Sequence, residues 1–174
     1  PRRCLPKPPA THVTEGALLR IVDAADLPVR RMIALGALAG LRSAEIAAAT
    51  WENIDRANGV LRVQGGKGEK DRSVPLSAGL LGMLGDPDTG PIVGHVMTAK
   101  AVSMAIGRHM RRHSVDLTAH KLRARYATRF LAATGDAVAT AEVLGHSDLT
   151  NVLRYAVASS DTMRRGAEAA GRIG

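Results

Sequence analysis

The chain has 174 residues, of which 45% are hydrophobic and 2% aromatic, and this size and composition fit one domain with a sizeable core. A single cysteine excludes an internal disulfide, and no apolar run reaches the roughly 18–20 residues that span a bilayer. The formal net charge of +8 favours a polyanionic partner, nucleic acid before a membrane surface, over a merely solvated basic face.

The sequence pattern of the first third of the chain predicts helices. The proline-rich residues 1–13 predict a linker from an N-terminal domain that is not part of this sequence, with a frayed terminus as the alternative. Thr14 is the predicted N-cap of a helix within 11–28, and Pro28 fits the first turn of the next helix. Gly40 ends that helix, and Ser43 is the predicted cap of a short one.

The pattern then changes to three short β-like pieces at residues 51–54, 60–63 and 72–75. Asn58-Gly59 is a tight-turn signal between the first two pieces. The second link, "QGGKGEKD", is long, rich in glycine and charged. We therefore expect a small antiparallel sheet that is exposed on at least one face.

After residue 77 the helical pattern returns. Further caps are predicted at Ser147 or Asp148, and a polar helix from about Asp161. The clearest helix boundaries are the caps Thr98, Thr118 and Asp136 and the closing glycines Gly135 and Gly145. The predicted fold class is mainly α with a small three-stranded antiparallel β-sheet.

Arg42 stands at the start of a predicted helix, where unpaired N–H groups favour anions. Arg42 follows Gly40, and an arginine there adds a fork of donors that suits a phosphate, although a surface salt bridge is the plainer interpretation. His120 and Arg123 are three residues apart on one helix face. His120 is a candidate proton-transfer group.

The glycine-rich loop "GGKGEKDR" does not fit a P-loop, because it joins two strands and lacks the required spacing. Lys67 instead lies near the tip of a hairpin, where it can reach a bound ligand, and Lys70 is the neighbouring candidate. A solvated turn would be equally rich in lysine.

His109 and His113 have half of a zinc-site spacing, but Met110 stands where a metalloprotease needs glutamate. We therefore predict no metal site. The same helix is basic, which predicts a phosphate-contacting face, with a merely soluble basic helix as the alternative. The DNA-contact candidates are Lys70, Arg72, Lys100, Arg108, Arg111, Arg112 and Lys121.

His146 and Tyr155 lie close together near the end of the chain, and Tyr155 is one of two tyrosines. A tyrosine oxygen becomes a useful nucleophile when positive charges stabilise the phenolate and a base takes its proton. Tyr126, inside a helix, is expected to have a packing or phosphate-contact role.

The order of these motifs resembles the tyrosine recombinases, also called the phage-integrase family. "GLRSAEI" resembles the family's first-arginine motif, with Glu45 at its acidic position, and "GGKGEKDRSVPL" is similar to its hairpin-lysine motif. "TAHKLRARYATRF" and "LGHSDLTNVLRY" resemble its H-x-L-R and nucleophile motifs. The catalytic residues that this resemblance implies are Arg42, Lys67, His120, Arg123, His146 and Tyr155.

The resemblance implies a site-specific DNA recombinase, an integrase, that works without a cofactor. Tyr155 would attack a DNA phosphodiester and form a 3′-phosphotyrosine. Arg42, Arg123 and His146 would stabilise the transition state, with Lys67 as general acid and His120 as proton acceptor or relay. A type IB topoisomerase-like or resolvase activity with the same chemistry and a non-catalytic basic DNA-binding module are the alternatives.

The resemblance also implies an organisation and partners. Residues 14–158 would be the catalytic domain, and residues 159–174 a tail or a helix that packs on a neighbouring subunit. The expected partners are double-stranded DNA attachment or core sites. We expect a homo-tetramer on DNA, a monomer without DNA and no membrane association. A cytoplasmic location is expected because the sequence has no signal-peptide pattern.

Overall fold

The computed structural model describes residues 13–65 and 71–145. These residues form a helical domain with one small sheet, as the sequence predicts. The strands are β1 (Ile54–Asp55), β2 (Val60–Val63) and β3 (Arg72–Pro75). The α-helices are α1 (Glu15–Asp23), α2 (Leu27–Leu38), α3 (Ser43–Ala48), α4 (Ala78–Leu84), α5 (Ala99–Arg112), α6 (Ala119–Thr134) and α7 (Ala137–Leu144).

Side-chain caps set most helix starts. An oxygen of the cap accepts a hydrogen bond from the backbone N–H three residues later, which satisfies a donor that the helix leaves unpaired. The predicted caps of α1, α5, α6 and α7 are confirmed, and Asp26 and Ser77 cap α2 and α4 in the same way. The six caps are Thr14, Asp26, Ser77, Thr98, Thr118 and Asp136.

The prediction that Ser43 caps α3 is wrong by one residue. Arg42 occupies the cap position, and Ser43 is the first helical residue. The Glu45 carboxylate reaches back to accept a hydrogen bond from the Arg42 backbone N–H at 2.7 Å. This acidic residue in the first turn replaces a hydroxyl cap.

The sheet has the order β1-β2-β3, with both pairs antiparallel. The predicted strands at 60–63 and 72–75 are confirmed, and Leu61 lies opposite Val74 on the buried face. The predicted strand at 51–54 is wrong in its first three residues, which form a 3-10 turn before β1. The buried Trp51 donates its backbone N–H to the Gly90 carbonyl at 2.9 Å, so this residue bonds to a distant loop and not to a neighbouring strand of the sheet.

Helix α2 lies at the centre of the core, packed by α4, α5 and α6. Its Ile33 and Leu35 are fully buried, and Leu122 of α6 lies close to Gly36. Within residues 13–65 and 71–145, no helix is both long and apolar enough to cross a membrane. The start of α3, strand β3, helix α6 and the end of α7 meet beside this core, and the candidate site lies there.

Candidate functional site

Arg42 stands at the junction of α2 and α3, and a third of its side chain is exposed. Its Nη1 lies 3.3 Å from Glu45 Oε1, and its Nη2 donates to the Gly145 carbonyl at 3.3 Å. Helix α3 has only six residues, and Glu45 already binds the Arg42 backbone N–H. At this helix start, the group suited to bind an anion is therefore the Arg42 guanidinium and not the N–H groups of the helix.

Arg123 reaches the same place from α6. Only 6% of its side chain is exposed. Its Nη1 donates to the Gly40 carbonyl at 2.6 Å, and its Nη2 donates to the Leu144 carbonyl at 2.5 Å. Nη1 also lies 3.6 Å from Glu45 Oε2, so that Arg42 and Arg123 converge on one carboxylate.

Glu45 is the centre of this cluster. Arg72 of β3 binds it with two parallel hydrogen bonds, Nη1 to Oε1 at 2.8 Å and Nη2 to Oε2 at 2.9 Å. Both side chains are only 8% exposed. Such a forked pair is the strongest geometry for arginine and carboxylate.

The pKa of Glu45 reflects two opposing influences. Burial favours the neutral acid, but the hydrogen bonds from Arg72 and from the Arg42 backbone, together with the charges of Arg72 and Arg123, outweigh it. The pKa of Glu45 therefore falls below its ordinary value, and the group is a carboxylate at neutral pH. The site thus combines one buried negative charge with three guanidinium groups.

His120 lies in the first turn of α6, three residues before Arg123, and its side chain is exposed. This position leaves the imidazole open to a ligand. The other sequence-predicted catalytic residues, Lys67, His146 and Tyr155, lie outside the described residues, as do Lys70 and the predicted caps Ser147 and Asp148. Gly145, directly before His146, is described and contacts Arg42 and Arg72.

The basic helix α5 has two distinct faces. Val102, Ile106 and Met110 are fully buried, and the opposite face carries exposed Lys100, Arg108, Arg111 and Arg112. This arrangement leaves the predicted DNA-contact side chains on α5 accessible. Lys121 is partly exposed and pairs with Asp116.

The histidines of α5 have different surroundings. His109 is buried and its Nε2 lies 2.8 Å from the Ile21 carbonyl, whereas His113 is exposed with its ring centroid 4.8 Å from that of His109. Among residues 13–65 and 71–145, no group of three His, Cys, Asp or Glu side chains is placed to hold a metal ion. Through its contact with the Ile21 carbonyl, His109 connects α5 to α1.

Arg72 differs most from its predicted role. As a DNA-contact candidate it should be open to solvent, but its guanidinium is buried and bound to Glu45 and to the Val143 carbonyl. Sequence reasoning noted Glu45 at an acidic position but did not pair it with Arg72. The alternation of β3, which puts Arg72 on the same face as the buried Val74, is a sequence signal for its burial but does not name its partner.

Tyr126 has a packing role. Its ring lies against Gly40 and 5.7 Å, centroid to centroid, from Phe130. Burial raises the pKa of its phenol, an effect that the charge of Arg72 partly offsets. The ring also lines an apolar groove of about 400 Å³ between α1, α2 and α6.

Comparisons with known proteins fit this geometry. The phage integrase family model matches residues 12–86. Tyrosine recombinase XerA of Pyrococcus horikoshii is 28% identical over 180 residues, which cover 95% of this chain and 63% of XerA. The chain therefore spans less than two thirds of that relative's length.

Two solved structures share the fold. The integrase from mycobacterium phage Brujita is 27% identical with a TM-score of 0.65, covering 97% of this chain and 58% of the phage protein. The Tn1549 transposon integrase in complex with transposon right end DNA has a TM-score of 0.76 at 18% identity, covering 96% of this chain and 68% of that integrase. With a matching family model and sequence similarity along almost its whole length, the chain belongs to the phage integrase family of tyrosine recombinases.

Proposed function

We propose that this chain is the catalytic domain of a site-specific DNA recombinase, which cuts and rejoins DNA through a 3′-phosphotyrosine. The observation that carries the proposal is the convergence of Arg42 and Arg123, from different helices, within 4 Å of the Glu45 carboxylate. Both guanidinium groups also bond to the carbonyls that immediately precede His146. Residues 14–158 would form the domain, and residues 159–174 a tail or a helix that packs on a neighbour.

The two arginines would bind the non-bridging oxygens of the phosphate that is attacked. A guanidinium group presents five N–H donors in a planar fork, a geometry that suits the oxygens of a phosphate. Arg42, the more exposed of the two, would contact the phosphate first. Donors already in place stabilise charge that develops in the transition state, and His146 would add one more hydrogen bond.

The proposed reaction is a transesterification. The Tyr155 oxygen forms a bond to phosphorus while the bond from phosphorus to the 5′ oxygen breaks. The tyrosine proton passes to His120, which is exposed at the start of α6, and the leaving 5′ oxygen takes a proton from Lys67. A 5′-hydroxyl from another strand reverses the step, so the bond energy is conserved in the covalent link and no nucleotide cofactor is needed.

DNA binding would use the basic faces of the domain. The exposed arginines of α5 and Lys100 lie on one helix face, where phosphates bind without reading sequence. Lys121 and Lys70 are further candidates. The Tn1549 integrase, which shares the fold, is recorded in complex with DNA, and this supports double-stranded DNA attachment or core sites as the partner.

The proposed assembly is a homo-tetramer on two DNA duplexes and a monomer without DNA. With chromosomal or phage DNA as substrate, the site of action would be the bacterial cytoplasm. Integration is the proposed biological act, in keeping with the phage and transposon integrases that share the fold. A topoisomerase-like or resolvase activity would use the same residues, and a binding module would use only the basic face.

A nicked-substrate assay tests the proposal. The protein is mixed, in EDTA, with nicked duplexes tiled across the DNA that flanks its gene, and covalent complexes are separated in denaturing gels. We expect a covalent band that Tyr155→Phe abolishes and Tyr126→Phe retains, since the Tyr126 ring is packed against Gly40. Absence of a band with every tile, a band that persists in Tyr155→Phe, or cleavage that EDTA stops would reject the proposal.

A further inference from the structure

Arg72 stands where three elements meet. From β3, its Nη1 and Nη2 bind both oxygens of Glu45 in α3, and its Nε donates to the carbonyl of Val143 in α7 at 2.9 Å. All three nitrogens of the guanidinium therefore have protein partners, and the side chain is 8% exposed. An arginine engaged in this way is a structural connector and has little surface left for a DNA phosphate.

The last two carbonyls of α7 and that of its C-cap Gly145 are each bound by a different arginine. Arg72 binds the Val143 carbonyl, Arg123 binds that of Leu144, and Arg42 binds that of Gly145. These carbonyls have no partners within the helix and form its negative end, where positive groups are stabilised. Because the helix end and its cap fix the spacing of these carbonyls, they also fix the spacing of the three guanidinium groups.

Gly145 is fitted closely to Arg72. Its φ of +65° lies in the left-handed region, and a Cβ there would lie 2.8 Å from Arg72 Nη1. The arginine thus packs directly on the residue that precedes His146. The end of α7, the hairpin strand and Glu45 are held together by this one side chain.

The negative charge of Glu45 opposes phosphate binding at this site, and Arg72 compensates that charge. A buried carboxylate within 4 Å of Arg42 and Arg123 attracts both guanidinium groups and repels a phosphate that approaches them. Arg72 takes up both carboxylate oxygens in its own fork and compensates their charge. Without Arg72, Glu45 would draw the other two arginines toward itself and away from the phosphate.

We propose that Arg72 is a positioning residue for the strand-cleavage step, which acts through Glu45 to keep Arg42 and Arg123 available to the phosphate. This inference rests on the proposed recombinase function. It predicts a defect in cleavage at saturating protein, with little change in DNA affinity. It also predicts that removing the charge of Glu45 relieves the defect that the loss of Arg72 causes.

The experiment measures single-turnover covalent-complex formation on a nicked duplex that the wild-type protein cleaves, with DNA affinity measured separately. We expect Arg72→Met to slow cleavage by about 30-fold or more and to change affinity by less than about threefold. The cleavage rate of Arg72→Lys should lie between those of the wild-type protein and Arg72→Met. An ammonium group keeps the charge but cannot bind both oxygens of Glu45 and the Val143 carbonyl. The control is Arg62→Met on β2, whose side chain is 71% exposed, with an expected change below about twofold.

The double variant Glu45→Gln/Arg72→Met tests whether Arg72 acts through Glu45. We expect it to cleave about fivefold or more faster than Arg72→Met, and within about threefold of Glu45→Gln. The second comparison holds even if Arg72→Met alone does not fold.

A double variant about tenfold or more slower than Glu45→Gln overturns the inference. An Arg72→Met defect that saturating protein removes overturns it too, because Arg72 would then contact DNA. Failure of the wild-type protein to form any covalent complex rejects the recombinase function itself.

Discussion

Gly40 connects the core to the candidate site. It follows α2 with a φ of +66°, and its carbonyl accepts the hydrogen bond from Arg123 at 2.6 Å. A Cβ at this position would lie 2.4 Å from Cδ1 of Tyr126 and 3.0 Å from Cδ2 of Leu144. The residue is therefore restricted to glycine both by its backbone conformation and by the ring that lies against it.

We predict that Gly40→Ala lowers the free energy of unfolding by about 2–4 kcal/mol, from the left-handed conformation and the overpacking together. The matched control is Gly82→Ala in α4, where a Cβ meets nothing within 4 Å. Because alanine favours the helix, we expect this variant's free energy of unfolding to rise by up to about 1 kcal/mol. Urea denaturation measures the free energy of unfolding of both variants. Equal effects of the two substitutions would contradict the packing described at Gly40.

At the residue scale, the sequence motifs select Arg42 and Arg123, and the structure places both beside Glu45. The pairing of Glu45 with Arg72 could not be predicted, because it depends on how β3 lies against α3. Strand alternation separates Arg62, 71% exposed between two buried residues of β2, from Arg72, which shares a face with Val74 and is 8% exposed, but it does not identify Glu45 as the partner. The roles of Lys67, His146 and Tyr155 stay predictions.

At the element scale, helix starts were predictable wherever a local cap sets them. Thr98, Thr118 and Asp136 accept hydrogen bonds within their own first turn, and such contacts can be read from neighbouring residues. The error at residues 51–53 falls where a distant contact decides, whereas the one-residue error at Ser43 arises from the local contact between Glu45 and the Arg42 backbone. Trp51 bonds to the Gly90 loop and not to a neighbouring strand. Helix α4, which the sequence pattern did not delimit, packs against α2.

The exposed face of α5 leads to a prediction about salt. Arg108 and Arg112 are four residues apart on this face, and we expect each to neutralise one DNA phosphate. The double variant Arg108→Met/Arg112→Met should therefore reduce the slope of log affinity against log salt by about 2. Fluorescence anisotropy across a salt series measures the slope.

The matched control for α5 is Arg20→Met/Arg62→Met, which removes two exposed arginines from α1 and β2. These side chains lie outside the proposed DNA surface, so we expect the slope to stay near that of the wild-type protein. An equal loss of slope in both double variants would indicate that overall charge, and not the face of α5, governs binding.

At the scale of the whole molecule, Glu45 links stability to pH. Its pKa is lowered in the folded protein from 4.5, so its carboxylate contributes stability that is fully present above this value. That contribution is lost as the pH falls through the lower, folded-state pKa. Protonation would break the charge compensation that holds α3, β3 and α6 together.

We predict that the wild-type protein unfolds at higher urea concentration than Glu45→Gln at about pH 7, and that the gap narrows as the pH falls below about 4.5. Other carboxylates with lowered pKa values, Glu52 and Asp55, are present in both proteins, and their effects cancel in the comparison. A gap that is constant from neutral to acid pH would contradict the ionised, arginine-bound state of Glu45.

The most direct test of the account is to identify the residue that becomes linked to DNA. The covalent complex from a nicked duplex is digested with nuclease and trypsin, and the nucleotide-bearing peptide is located by mass spectrometry. The arginines before Tyr126 and Tyr155 place the two tyrosines in different tryptic peptides, so the assignment is unambiguous. We predict a 3′-phosphonucleotide on Tyr155, and an adduct on Tyr126 or on any other residue would contradict the account.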